Sequence, residues 1–240
     1  MPQKTVLITG ASRGIGAAAA RRFAAEGWRI ALNYNTSQTA AGALAAELGG
    51  LAVRADVSDP HQARAMAETV LREFGRLDAL VCNAGTDWQG LLQDMSDADY
   101  RRVMGTDLDG VFFVCRAVLP QMLRQKSGKI VTVSSMWGQV GGSCEAAYSA
   151  AKAGVIGLTK ALAKEVGPSG IAVNCVAPGV IDTEMNAHLG PQALSELAEE
   201  TPLGRLGTVE DVAAALFFLC SPAADFLTGQ VIAPNGGLVI

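Results

Sequence analysis

The 240-residue chain has only two histidines, His61 and His188. That scarcity argues against a His-based metal centre or a nucleophile–histidine triad, each of which needs imidazoles converging on one place. His61 follows an Asp-Pro pair and reads as a surface residue at a helix start. The five cysteines, Cys82, Cys115, Cys144, Cys175 and Cys220, are odd in number, far apart and never in a C-x-x-C pair. Neither a disulfide framework nor a zinc site is signalled, and reduced thiols are expected. Positive charge is not in surplus: 19 basic residues stand against 23 acidic ones, a net −4. Nucleic acid and anionic membranes therefore have no electrostatic claim as partners. No apolar run reaches the roughly 18 residues of a membrane span, and "MPQKTVLITG" lacks the sections of a signal peptide. A cytoplasmic protein is expected, whose ligands are small molecules or another protein. Fixed-period repeats and low-complexity tracts are lacking too.

What is present is half hydrophobic, enough for one large core and short for two ordinary domains. Short apolar runs begin at Thr5, Arg29, Leu51, Leu77, Lys129, Ile171 and Gln230, with alanine-rich stretches of helix length between them. The runs are near-continuous instead of alternating, the pattern of strands buried on both faces. The expected architecture is α/β, a single domain with a doubly wound, seven-stranded parallel sheet and helices on both faces. One connection breaks the rhythm, from Pro178 to Gly207, rich in Pro, Gly and acidic residues. Its length predicts a binding lid at about 182–206, carrying short helices.

"TVLITGASRGIGAAAARRFA" sets Gly10, Gly14 and Gly16 between the first strand and the first helix. Such a turn lets backbone approach a pyrophosphate closely, and the helix offers it unpaired N–H groups. The turn, with Ser12, Arg13 and Ile15, is expected to bind a dinucleotide. An acidic residue at the end of the second strand would hold the ribose 2′-OH of NAD(H). Here that end reads Asn33, Tyr34, Asn35, Thr36 and Ser37, without a carboxylate, and Arg13 could reach a phosphate. This favours NADP(H) over NAD(H), with Asn35 beside it.

Tyr148 precedes Lys152 by four residues, which puts both on one helix face. A phenol has a pKa near 10, so only about one in a thousand is ionised at neutral pH. An ammonium about 4 Å away, at an effective dielectric of ~20, favours the phenolate by up to roughly 4 kcal/mol before desolvation. The pair is therefore expected to ease the loss of the phenolic proton.

"TGASRGIG", "CNAG" from Cys82, "YSAAK" from Tyr148 and "PGVIDT" from Pro178, with Ser135 lying 13 residues before Tyr148, resemble the short-chain dehydrogenase/reductase family along essentially the whole chain. The resemblance implies a Rossmann fold and an NAD(P)-dependent oxidoreductase. Tyr148 would be the acid, Lys152 the holder of the nicotinamide ribose, and Ser135 a donor to the substrate oxygen. It also implies cofactor contacts for Asn83, Ala84 and Gly85, for Asp56 and Val57 at the adenine, and for Pro178, Gly179, Ile181 and Thr183 near the carboxamide and a phosphate.

One position departs from the family. "TDLDGVFF" sets Asp107 where the family has an asparagine that stabilises a helix break and a proton-relaying water. An aspartate can accept from that water but not donate, so an active site with an altered pH profile is expected. Within the family the chain looks most like bacterial 3-oxoacyl-[acyl carrier protein] reductases. It also resembles a subgroup described as elongation factor P 5-aminopentanone reductases, whose cationic substrate would suit the acidic Asp182, Glu184, Glu196, Glu199 and Glu200. A free-ketone or hydroxysteroid dehydrogenase is a further reading, with Met136, Trp137, Val140 and Met185 as a candidate apolar pocket. A non-catalytic nucleotide-binding protein is the reading from another class. The family resemblance implies a homotetramer, with the Tyr148 helix and the final helix and strand at its contacts.

Overall fold

The structure, a computed structural model, describes residues 3–186 and 189–240; His188 lies outside them, as does the side chain of Met185. Seven strands form: β1 Thr5–Ile8, β2 Arg29–Tyr34, β3 Leu51–Arg54, β4 Ala79–Cys82, β5 Gly128–Val133, β6 Ile171–Val176 and β7 Val231–Ile232. All pair in parallel in the order β3-β2-β1-β4-β5-β6-β7, the sheet expected from the apolar runs.

The continuous apolar character of the strands has a direct cause. Val6 and Ile8 of β1 join one core cluster with Phe23 of α1 (Gly14–Ala25), Leu44 of α2 (Gln38–Leu48) and Leu216 of α9 (Val209–Cys220). Leu7, pointing the other way, joins a second cluster with Met66 of α3 (Pro60–Phe74), Val118 of α5 (Gly110–Gln125) and Val155 of α7 (Ala146–Val166). Both faces of the sheet are thus covered, and each buried aliphatic side chain contributes about 1.5–3 kcal/mol. Edge-on contacts of Phe23 with Trp28 and Phe217, both at 5.2 Å between centroids, brace α1 against α9.

Three local features bear on the site. The Asp59 side chain caps α3 by accepting from the His61 and Gln62 N–H groups, which leaves His61 on the surface as read. Between α4 (Asp97–Met104) and α5 the helix is wound into a π turn over Gly105–Asp109, and Asp107 sits in it. The helix break expected at Asp107 is therefore present, in a form often associated with functional sites. The long excursion is stapled at its neck: the Asp182 N–H donates to Gly207 O at 2.9 Å and the Gly207 N–H to Val180 O at 2.9 Å. Within it lie a short 3₁₀ turn, Glu184–Asn186, and α8, Pro191–Glu200. Among the described residues no helix is long and apolar enough to cross a membrane.

Candidate active site

β1 and β4 are neighbours although β2 and β3 intervene in the sequence, so the loops leaving their carboxyl ends part in opposite directions. Such a switch point leaves a crevice. A cleft of about 1090 Å³ opens there, walled by the residues that follow β1 to β6. Every site residue read from the sequence lines it except Gly16. Gly16 is buried, and a Cβ there would stand 2.5 Å from Gly10 O and 2.7 Å from Asn83 Nδ2. Absence of a side chain there lets α1 close against the turn.

The turn itself is held by side chains. Gly10 has φ +61, and a Cβ there would meet Ala84 Cα at 2.7 Å, so only glycine fits comfortably. The Asn83 amide donates to Thr9 O at 3.0 Å and Gly10 O at 3.1 Å, while Thr9 Oγ1 accepts from the Asn83 and Ala84 N–H groups. Asn33 is buried at the end of β2; its Oδ1 accepts from the Gly10 N–H at 3.2 Å and its Nδ2 donates to Val53 O and Ala55 O. No side chain caps α1, and its first turn carries no acidic residue. Its first N–H groups therefore remain to be met by an anion. Thr183 faces them across the cleft, its methyl 4.0 Å from where a Gly14 Cβ would be. A pyrophosphate fits that cradle. Asp56 is steadied by Ser58, whose N–H and O–H donate to Oδ1 at 2.9 and 2.7 Å. The residues from Asn33 to Ser37 line the cleft without a carboxylate, and Arg13 lies 3.1 Å from Glu184.

At the far end, β5, followed by the short helix α6 (Trp137–Val140), and α7 bring Ser135, Tyr148 and Lys152 together. Ser134 O–H donates to Lys152 O at 2.7 Å, pinning α7 to the end of β5. The Lys152 ammonium donates to Val133 O at 3.2 Å, pairs with Asp107 Oδ1 at 3.0 Å, and stands 5.4 Å from the Tyr148 ring centroid. Ser135 is buried, and its Oγ accepts from the Trp137 N–H at 3.2 Å. Burial works against the Lys152 ammonium, but the charges of Asp107 and Tyr148 outweigh it and hold the amine above its ordinary value. Burial pushes the Asp107 carboxyl up, with Lys152 opposing. Burial also pushes the Tyr148 phenol up; Lys152 opposes this and Asp107 adds to it. Lys152 does draw the phenol down, as expected from the spacing, but desolvation and the Asp107 charge together outweigh it.

Trp88, Met136, Trp137, Glu145, Leu189 and Leu197 also line the cleft. Val140 does not and is exposed. Of the five carboxylates expected to colour the lid, Glu184 lines the cleft, whereas Asp182, Glu196, Glu199 and Glu200 do not. Sequence reasoning missed the strut role of Asn33, although a lone amide in the run "RIALNY" was a usable signal. It also missed Trp88, three residues past Gly85, and Glu145, three before Tyr148.

Comparison with known proteins agrees with this geometry. A family profile described as "Enoyl-(Acyl carrier protein) reductase" matches residues 10–239. The chain is 42% identical to the 3-oxoacyl-[acyl-carrier-protein] reductase FabG of Staphylococcus aureus over 240 residues, 98% of each chain. It is 43% identical to the 3-oxoacyl-[acyl-carrier-protein] reductase of Synechocystis, covering 99% of this chain and 97% of the relative. It is 41% identical to YmfI of Bacillus subtilis, named an uncharacterized oxidoreductase, over 98% of both. With the parallel sheet and the cleft at its switch point, these likenesses place the chain in the short-chain dehydrogenase/reductase family of NAD(P)-dependent oxidoreductases acting on CH–OH and C=O groups.

Proposed function

We propose that the protein is an NADP(H)-dependent ketone reductase of the 3-oxoacyl-[acyl carrier protein] reductase type, with Tyr148 as the proton donor. The observation that carries the reading is the convergence of Ser135, Tyr148 and Lys152 on one cleft that also holds the glycine turn. The relatives named as 3-oxoacyl-[acyl-carrier-protein] reductases support the substrate class.

The cofactor, when bound, supplies the hydride. The α1 N-terminus and Thr183 would hold its pyrophosphate, Asp56 and Val57 would meet the adenine, and Asn83 to Gly85 with Pro178 to Ile181 would hold the nicotinamide end. Lys152 holds the nicotinamide ribose as well as facing Tyr148. Ser135 donates to the carbonyl oxygen and orients it. Tyr148 Oη–H passes its proton to that oxygen, so the ketone gains a hydride and a proton and leaves as a secondary alcohol. Preference for NADP(H) over NAD(H) is supported by the carboxylate-free end of β2 and by Arg13 at the cleft.

The 182–206 excursion acts as the lid, and the functional form is a cytoplasmic homotetramer. Exposed Phe112 and Leu123 on α5 and Phe218 on α9 give such contacts apolar surface. A cationic ketone, such as a 5-aminopentanone group on elongation factor P, loses the support of four of the five lid carboxylates but keeps Asp87 and Glu145 in the cleft. A non-catalytic nucleotide-binding role runs against the assembled Ser135, Tyr148 and Lys152.

Initial rates of NADPH and NADH oxidation on an acetoacetyl thioester, a carrier-linked 3-oxoacyl chain, an aminoketone-modified protein and simple ketones test the reading. NADPH-dependent turnover is expected on the thioester and faster turnover on the carrier-linked chain. Turnover confined to the aminoketone, or faster with NADH throughout, would overturn the corresponding part.

A further inference from the structure

A carboxylate withdrawn from solvent is costly unless every lone pair finds a partner. Asp107 is fully buried, and both of its oxygens are engaged. Oδ1 accepts from Lys152 Nζ at 3.0 Å and from the Thr86 N–H at 3.2 Å, and Oδ2 accepts from the same N–H at 3.1 Å. These partners are all donors, the surroundings of an ionised carboxylate. The neighbourhood is built around the pair: a Cβ on Gly85 would stand 2.6 Å from Oδ1 and 3.4 Å from Nζ. The π turn sets Asp107 facing α7, and Lys152 reaches it directly. An asparagine at this place would leave the ammonium charge uncompensated.

The charged and titratable groups around this pair come from several elements. α7 contributes Lys152 and Tyr148, with Glu145 just before its first turn. The loop after β4 contributes Asp87, and the α4 residue Arg102 donates to Thr86 Oγ1 and Asp87 O. The thiols of Cys82 on β4 and Cys175 on β6 also lie within reach of the Lys152 charge. Against Asp107, Asp87 and Glu145, the cations are Lys152 and Arg102, and Asp107 is the carboxylate paired with Lys152.

We propose that Asp107 is a positioning residue that compensates the Lys152 charge by a direct ion pair, and so holds Tyr148 in the phenol form that carbonyl reduction consumes. This rests on the reading of Tyr148 as the proton donor. Reduction consumes the phenol form, whereas oxidation of an alcohol needs the phenolate to accept the hydroxyl proton. The upward push of Asp107 on the Tyr148 phenol agrees in sign.

The test is an ultraviolet difference titration of phenolate in the cofactor-free protein, for the parent, Tyr148→Phe, Asp107→Asn and the double variant. The chain has three tyrosines, so subtraction of the Tyr148→Phe curves isolates Tyr148. Asp107→Asn keeps the side-chain shape and an acceptor for the Thr86 N–H. In the parent, Tyr148 should titrate above the free-tyrosine value of about 10. In Asp107→Asn its midpoint should fall by at least about one pH unit, a tenfold rise in the phenolate fraction. The pH profile of kcat/KM for alcohol oxidation should move to lower pH with it. An unmoved midpoint in a variant that keeps its near-ultraviolet dichroism overturns the proposal. A parent Tyr148 that titrates near neutral pH overturns it too, even where the variant fails to fold. Full turnover by Tyr148→Phe would instead sink the proton-donor reading, so the two failures are distinguishable.

Discussion

The Arg13 guanidinium lies 3.1 Å from the Glu184 carboxylate, joining the glycine turn to the start of the long excursion after β6. Both side chains are mostly exposed, so the pair adds little to stability. On the proposed NADP(H) reading its consequence concerns the cofactor, because the 2′-phosphate and Glu184 would compete for one guanidinium. Arg13→Ala should weaken NADPH binding by about 10–100-fold, the worth of a charge-assisted contact, and NADH binding by much less. Glu184→Gln should tighten NADPH binding a few-fold without moving the melting temperature. Fluorescence titration with both cofactors checks this; equal losses for NADPH and NADH in Arg13→Ala would remove Arg13 from phosphate recognition.

Two asparagines at the end of β2 should answer differently to the same substitution. Asn35 is exposed at the cleft, so Asn35→Asp should shift preference toward NADH by favouring a ribose hydroxyl and repelling a phosphate. Asn33 is buried and donates to Val53 O and Ala55 O. Asn33→Asp would turn those contacts into carboxylate facing carbonyl, costing about 1–3 kcal/mol or more and loosening the Gly10 turn. Urea melts and kcat/KM with each cofactor separate the two. A stable, NADH-preferring Asn33→Asp would contradict the strut role.

The general architecture was readable because each strand is apolar on both faces, as Val6, Leu7 and Ile8 illustrate. The helix break was implied by the family resemblance at "TDLDGVFF", and the excursion was readable from its length and composition. What stayed hidden were contacts between parts distant in sequence. Gly16 looks like a phosphate glycine until Gly10 O and Asn83 Nδ2 are seen against it. Asn33 counted only as a missing carboxylate, since its partners come from β3 and the first turn. The carboxylates of the excursion could be counted, but which of them face the cleft depends on how its turn and α8 pack. The pull of Lys152 on Tyr148 followed from helix spacing alone, whereas the opposing charge comes from the π turn.

The helix that supports α1 carries its own pH dependence. Thr208 and Asp211 cap α9 reciprocally, and Arg205 hydrogen-bonds the same carboxylate. The Arg205 contact, followed by the Thr208 N–H, holds the Asp211 carboxyl well below the usual range. A lowered folded-state value means stability present above the unfolded value of about 3.9, lost as pH falls from there toward the folded one. Asp211→Asn should cost about 1 kcal/mol near neutral pH, the usual worth of a cap. The difference from the parent should shrink below about pH 4. Urea unfolding across that range measures it; a gap that stays constant into acid would show that the ion pair and cap contribute nothing through ionisation.

Proton donation by Tyr148 to a carbonyl is measured through the NADPH-dependent reduction of an acetoacetyl thioester by the parent and by Tyr148→Phe. Tyr148→Phe should lower kcat by about 10²–10⁴-fold, the usual contribution of a positioned general acid, with NADPH binding retained. A Tyr148→Phe rate within a few-fold of the parent would contradict it.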